Sequence, residues 1–185
     1  MLDHAAAARV RVVVLDVDGV LTDNAVYLGL VAGARTEYKR FDIQDGLGFA
    51  LLRLAGIPVA VVSGRPSDAT ALRMRELGID DVVQDPAARK LPALRALLAR
   101  RGLGWDEICY VGDDLADVPV MRRCGVPIAV ANAVDEVKAL AAYVTARRGG
   151  EGAVREAIEM LLRARDEWDE AVRRYLHERG DDDVA

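Results

Sequence analysis

The sequence predicts an α/β fold, a doubly wound parallel sheet in three layers, on two observations. Short continuous apolar runs alternate with amphipathic stretches, the pattern of strands buried on both faces and of the helices that cover them. Glycine-containing turns separate the helical stretches from the next apolar run. The first run is RVVVL (11–15), β-branched and halted by acidic residues. IPVAVV (57–62) stops at Ser63 and Gly64, 81–83 is a short run, EICYV covers 107–111 and VPIAV covers 126–130. Helices are predicted over 46–55, 67–77, 90–101, 119–124 and 135–141. Gly56-Ile57-Pro58, Leu77-Gly78, Gly102-Leu103-Gly104 and Cys124-Gly125 mark the turns.

Residues 25–41 break the alternation. Val26, Tyr27 and Leu28, then 29–33, then 36–41 read as a β-hairpin with a glycine-containing tip, inserted just after the first strand. The stretches 24–62 and 64–112 are filled by this hairpin and by sheet-and-helix units, so no cap domain fits. From about Glu156 one long helix is predicted, with Ile158, Leu161, Leu162, Trp168, Val172, Tyr175 and Leu176 at three- and four-residue steps. The expected organisation is a domain over 1–162 and a helical extension with an acidic tail over 163–185, frayed at its GDDDVA end. The opening MLDHAAAARVR reads as a short leader, since an acid comes early and no signal-peptide h-region follows.

Composition narrows the function classes. The 185 residues are 52% hydrophobic and 30% charged, enough for a buried core and against global disorder. A net charge of −5 argues against a nucleic-acid partner, and 5% aromatics against base-stacking platforms. No apolar run approaches the roughly 18 residues of a membrane span. Cys109 and Cys124 lack metal-site spacing, so the expected setting is reducing and cytoplasmic.

The polar residues gather at one place on this scaffold. Asp16 and Asp18 follow the first strand, Ser63 the second, and Asp113, Asp114 and Asp117 a later one, while Lys90 opens a helix. In a parallel sheet all of these meet outside the carboxyl ends of the strands, where ligands bind. Acids so gathered repel one another without a cation, and oxygen-only donors favour Mg²⁺ over zinc. Taken singly, DxDG could be an ordinary turn and GDDLAD a helix cap. The calcium-loop pattern fails, because Gly19 comes too early and a buried strand precedes it.

In this order the motifs DVDGV (16–20), Ser63, Lys90 and Gly112-Asp113-Asp114 with Asp117 resemble the haloacid dehalogenase-like superfamily of Mg²⁺-dependent phosphatases. The resemblance implies a Rossmann-like fold of that family. It makes Asp16 the nucleophile that forms an aspartyl-phosphate, and Asp18 the general acid and then base. Ser63 and Lys90 would hold phosphoryl oxygens. Mg²⁺ would sit on Asp16, Asp113 and the Asp18 backbone carbonyl, with Asp114 and Asp117 supporting the metal and its waters.

The absence of a cap points to one branch. DVDGVLTD (16–23), Phe41 with Asp45-Gly46, LLRLAGIPVAVVSGR (51–65), Arg73 with LGI (77–79) and Gln84 resemble the capless, tetrameric 3-deoxy-D-manno-octulosonate 8-phosphate phosphatases. YVGDDLADVPVM (110–121), IAVANA (128–133) and GGEGAVRE (149–156) extend the likeness. The resemblance implies a small sugar acid phosphate as substrate. It also implies a homotetramer whose hairpins form a central barrel while neighbouring chains close each other's sites, helped by the Gly-rich segment before the last helix. Arg65, with Gly64 before it, and Arg73 would bind the sugar acid carboxylate, for which guanidinium is suited; either arginine could instead form an ordinary surface ion pair.

Three departures from the family pattern stand out: Asp85 where glycine is usual, Glu151 where arginine is common, and the extension after about Arg163. The first two bear on the exact substrate, and a nine-carbon ulosonate 9-phosphate or another small phosphorylated metabolite is the alternative. A phospho-Asp receiver module would carry its acidic pair after the first strand and the phosphorylated Asp after the third, the opposite order. A phosphomutase would need a cap. A capless phosphatase acting on a macromolecule would be expected as a monomer.

Overall fold

The computed structural model describes residues 2–181. Six parallel strands form one sheet in the order β5-β4-β1-β6-β7-β8: β1 (Val12–Leu15), β4 (Val59–Ser63), β5 (Asp81–Gln84), β6 (Ile108–Gly112), β7 (Val126–Ala129) and β8 (Tyr143–Val144). β1 and β6 are buried along their whole length, which is why they read as unbroken apolar runs. Val14 of β1 stands opposite Ala60 on one side and Tyr110 on the other. The chain leaves β1 toward β4 and later returns to its other side at β6. Asp16 therefore follows the central strand at the point where the winding reverses, the usual ligand position in such sheets.

Helices cover both faces. α1 (His4–Arg9), α2 (Ile43–Leu54), α7 (Ala153–Ala164) and α8 (Trp168–His177) pack on one another, while α4 (Lys90–Arg101), α5 (Val118–Met121) and α6 (Asp135–Lys138) form a second layer. α3 (Asp68–Glu76) lies against the hairpin strand β3 (Ala34–Tyr38), whose partner is β2 (Tyr27–Val31). Local chemistry sets the helix ends: Asp42 accepts the Gln44 N–H at 2.7 Å and Ser67 the Thr70 N–H at 3.3 Å. Gly102 ends α4 in the left-handed region. The predicted layers and the inserted hairpin are present, and no cap domain is found among the described residues.

Four local expectations are corrected. The supposed leader is α1, capped by Asp3, with Leu2, Ala7 and Val10 buried. The hairpin tip is the two-residue turn Ala32-Gly33, both at positive φ (50° and 80°), and Gly29 lies within β2. β8 was not expected; it is a two-residue edge strand. The long last helix is two helices. Asp166 takes φ 57°, and Arg165 turns back to donate to the carbonyls of Ala7 (2.7 Å) and Val10 (3.0 Å), capping α1. α8 then folds over α2, where Arg174 donates to the Leu54 carbonyl at 2.6 Å. The end of the acidic tail, 182–185, lies outside the described residues.

A further contact fixes the loop after β1. Gly149 abuts this loop so closely that a Cβ there would lie 1.8 Å from the Gly19 carbonyl oxygen. Asn132 bridges the two segments, donating to the Gly19 carbonyl at 2.9 Å and accepting the Gly149 N–H at 2.6 Å.

Candidate active site

Asp16 follows β1, 7% exposed, and its backbone N–H donates to the Val111 carbonyl at 3.1 Å. Lys90 opens α4 with its side chain turned inward, its ammonium 2.8 Å from Asp16 Oδ1 and 2.5 Å from Asp117 Oδ1. Asp117 is fully buried and both of its oxygens are committed. Oδ1 also accepts the Tyr110 hydroxyl at 2.5 Å, and Oδ2 accepts the backbone N–H groups of Asp113 (2.8 Å) and Asp114 (3.2 Å). Asp117 thus stands behind the site, holding Lys90 and the loop after β6. Asp114 is exposed, and its Oδ1 accepts the Leu115 N–H.

Asp113 is buried, and its Oδ1 has no protein partner. Asp16, Asp113 and Asp117 each offer a carboxylate oxygen within 4.8 Å of the others. Burial pushes the Asp16 carboxyl up to about 6, the Lys90 charge opposing it and Asp117 adding to it. Burial, then Asp16 and Asp117, push Asp113 up to about 8. Burial disfavours the Lys90 charge, but Asp16 and Asp117 outweigh it and hold the ammonium above its ordinary value. An all-oxygen donor set with a buried orphan oxygen, short of positive charge, fits a hard divalent cation. With Asp117 fully engaged, Asp16 and Asp113 are the carboxylates that can face it.

Ser63 ends β4, and its Oγ accepts the Arg65 N–H at 3.2 Å. A Cβ on Gly64 would come within 2.9 Å of the Ala88 Cβ, so glycine lets the loop leading to Lys90 pack close. Asp85 stabilises that loop, its Oδ1 accepting the Ala87 N–H at 2.9 Å. Arg65 donates from Nη1 to Glu37 Oε2 at 2.8 Å, while its Nε is 3.7 Å from Asp18 Oδ2. Its Nη2 is buried without a partner.

Asp16, Asp18, Ser63, Gly64, Arg65, Lys90, Asp113 and Asp114 line one pocket of about 170 Å³. Arg65 also lines a second, larger groove of about 1030 Å³, together with Arg35, Lys39 and Arg73. Arg73 pairs with Glu76 at 2.9 Å along α3. The sequence-predicted residues are therefore brought together, except that Asp117 sits beneath the pocket and Arg73 in the groove. Glu151 lies elsewhere, exposed, 3.9 Å from Arg40.

Sequence reasoning missed Glu37, Lys39, Tyr110, Asn132 and Asp45. Glu37 and Lys39 were legible in principle, since residues two apart on a strand share a face. Asp45, on the first turn of α2, is 2% exposed and accepts the Arg155 N–H at 2.7 Å where α7 begins. Burial pushes its carboxyl up to about 7 against that hydrogen bond.

These shifts set a pH dependence for the metal-free protein. Asp16, Asp45 and Asp113 keep their protons in the folded chain at pH values where the unfolded chain, with carboxyls near 3.8, has released them. Their contribution is thus fully present below about pH 3.8 and declines from there, the loss being complete for Asp16, Asp45 and Asp113 at about 6, 7 and 8 in turn. Thermal melts in chelator should show Tm falling from acid toward pH 8, less steeply up to about pH 7 in Asp45→Asn; a Tm that rises over this range contradicts the assignment.

The family model for haloacid dehalogenase-like hydrolases matches residues 82–158. The 3-deoxy-D-manno-octulosonate 8-phosphate phosphatase of Escherichia coli K12 is 40% identical over 167 residues, covering 90% of this chain and 87% of that protein. A structure of the Moraxella catarrhalis phosphatase of the same name, in complex with magnesium, phosphate and KDO, superposes with a TM-score of 0.85 at 35% identity, covering 93% and 97% of the two chains. A subfamily III A hydrolase of the haloacid dehalogenase superfamily from Legionella pneumophila gives 0.85 at 37% identity, covering 94% and 93%.

Proposed function

The chain belongs to the haloacid dehalogenase-like hydrolases, within the family of the 3-deoxy-D-manno-octulosonate 8-phosphate phosphatases, and from that membership we propose that it hydrolyses this eight-carbon sugar acid phosphate through an aspartyl-phosphate on Asp16. The observation that carries the reading is the meeting of Asp16, Asp18, Ser63, Lys90 and Asp113 around one small pocket that shares Arg65 with a larger groove. The pocket has room for a phosphoryl group, and the groove has room for the sugar acid. Arg65, through its unpartnered Nη2, and Arg73 are the groups for the carboxylate.

In the first step an Asp16 carboxylate oxygen attacks phosphorus, the bond from phosphorus to the sugar oxygen breaks, and that oxygen takes a proton from Asp18. In the second step Asp18 takes a proton from water, the water oxygen attacks phosphorus, and the bond to Asp16 breaks to give inorganic phosphate. Lys90 and Ser63 hold the phosphoryl oxygens, Lys90 setting its charge against the one that builds in the transition state. Mg²⁺, held by Asp16, Asp113 and the Asp18 main-chain carbonyl, would when bound supply the positive charge that lets a carboxylate approach a phosphate dianion.

The domain is proposed to span 1–162, with 163–185 as an extension. The hairpin supports a homotetramer, since Tyr27, Leu28, Leu30, Val31 and Tyr38 are exposed on it. The deciding measurement is phosphate release, with and without Mg²⁺, from the octulosonate 8-phosphate, nine-carbon ulosonate 9-phosphates and hexose phosphates. The expected result is Mg²⁺-dependent preference for the eight-carbon acid by about 100-fold, roughly 2.7 kcal/mol. Preference for a nine-carbon acid, or flat turnover, would overturn the substrate assignment.

A further inference from the structure

Lys39 leaves the end of β3 and turns into the protein, its side chain wholly shielded from solvent. Its ammonium is 2.6 Å from Asp18 Oδ1, 3.2 Å from the Thr70 hydroxyl in the first turn of α3, and 3.8 Å from Glu37 Oε1. Asp18 Oδ1 is buried and its contact with the ammonium is an ion pair without hydrogen-bond geometry, while Oδ2 lies 3.7 Å from Arg65 Nε, beyond hydrogen-bond reach. The base of the hairpin is pinned beside this loop by the Thr22–Phe41 bridge. A buried lysine needs a reason, because desolvating an ammonium is unfavourable unless partners compensate. Here the partners come from three places: the loop after β1, β3 and α3.

We propose that Lys39 is a positioning residue for the reaction. It clamps one oxygen of Asp18 so that the other is left facing the pocket to give and take the proton. This rests on the roles assigned to Asp16 and Asp18 above, but not on the identity of the sugar. The clamp fixes a short side chain whose two oxygens would otherwise exchange places by rotation about one bond. The hairpin thereby takes part in the chemistry of its own chain, apart from any part in assembly.

The test compares leaving groups. A sugar alkoxide needs the Asp18 proton in order to leave, whereas the nitrophenolate of p-nitrophenyl phosphate leaves without one. In Lys39→Met, which keeps the length of the side chain and removes its charge, kcat/KM for the alkyl phosphate should fall about 100-fold. For p-nitrophenyl phosphate kcat/KM, which reports phosphoryl transfer to Asp16 and not the later attack of water, should stay within about threefold of wild type. Both substrates are read on one preparation, so a misfolded fraction lowers both equally and leaves their ratio unchanged. Thr70→Val, which removes only the second anchor of the ammonium, should skew the ratio in the same direction by a smaller factor. In an Asp18→Asn background, Lys39→Met should add no further skew, because the group it positions can no longer transfer a proton. Equal losses on both substrates, no loss, or additive skew in the double variant would overturn the proposal. If wild type prefers a different primary alkyl phosphate, the substrate assignment falls and the same ratio is read on that ester.

Discussion

Asp16→Asn will release no measurable phosphate from any ester, a fall of about 10⁴-fold or more, while folding as wild type does. The amide keeps the shape of the side chain but cannot form the acyl phosphate, and losing a nucleophile silences the whole constellation rather than a share of it. The fold should tolerate the change because burial already works against the Asp16 charge, pushing its carboxyl up to about 6. Lys90 retains Asp117, so its ammonium is not stranded. Malachite-green phosphate release checks the first part and a thermal melt in chelator the second. Appreciable turnover in this variant removes Asp16 from the role of nucleophile.

Asp117→Ala should give the largest loss of stability of any single change at the site, about 3–5 kcal/mol, because it removes one partner of a buried ion pair. Four donors lose their acceptor at once: the Lys90 ammonium, the Tyr110 hydroxyl and the N–H groups of Asp113 and Asp114. The Tyr110 hydroxyl and the Lys90 ammonium cannot turn to solvent, since both are buried with it. Urea unfolding should show a lower midpoint at an unchanged slope. A loss below about 1 kcal/mol would mean that these donors find other partners, and that Asp117 is not what holds Lys90 in place.

The contrast between these two aspartates shows what the sequence can and cannot reveal. Both follow strands at the carboxyl edge of the sheet, and both were expected near a metal. Position alone separated neither of them from the other. The difference lies in Tyr110, whose hydroxyl is hidden among apolar neighbours in β6 and aimed at Asp117 from within the sheet. Asp16, Ser63, Lys90 and Asp113 were legible because each directly follows a strand or opens a helix on one edge of a parallel sheet. The central strands were legible for the same kind of reason, being apolar on both faces.

What escaped notice depends on contacts between distant residues. The apolar stripe of the last helix runs straight through Arg165, so periodicity predicts continuity. The turn there is driven by Arg165 meeting carbonyls of α1, with 155 positions separating Arg165 from Val10. Lys39 and Glu37 were passed over because a hairpin with exposed apolar residues suggests assembly. Their side chains lie on the face that turns inward.

The clasp between Asn132, Gly149 and the loop carrying Gly19 has a consequence for how the protein comes into being. Asn132 stands 113 residues beyond Gly19 in the chain. On a ribosome Asp16 is among the first residues to emerge, yet the segments that brace the loop after it arrive far later in synthesis. The early part of the sheet can collapse long before then, because β1 and β4 are joined by a shorter crossover. The loop after Asp16 therefore reaches its final bracing only once the chain has been made past Gly149, long after the strand that carries it.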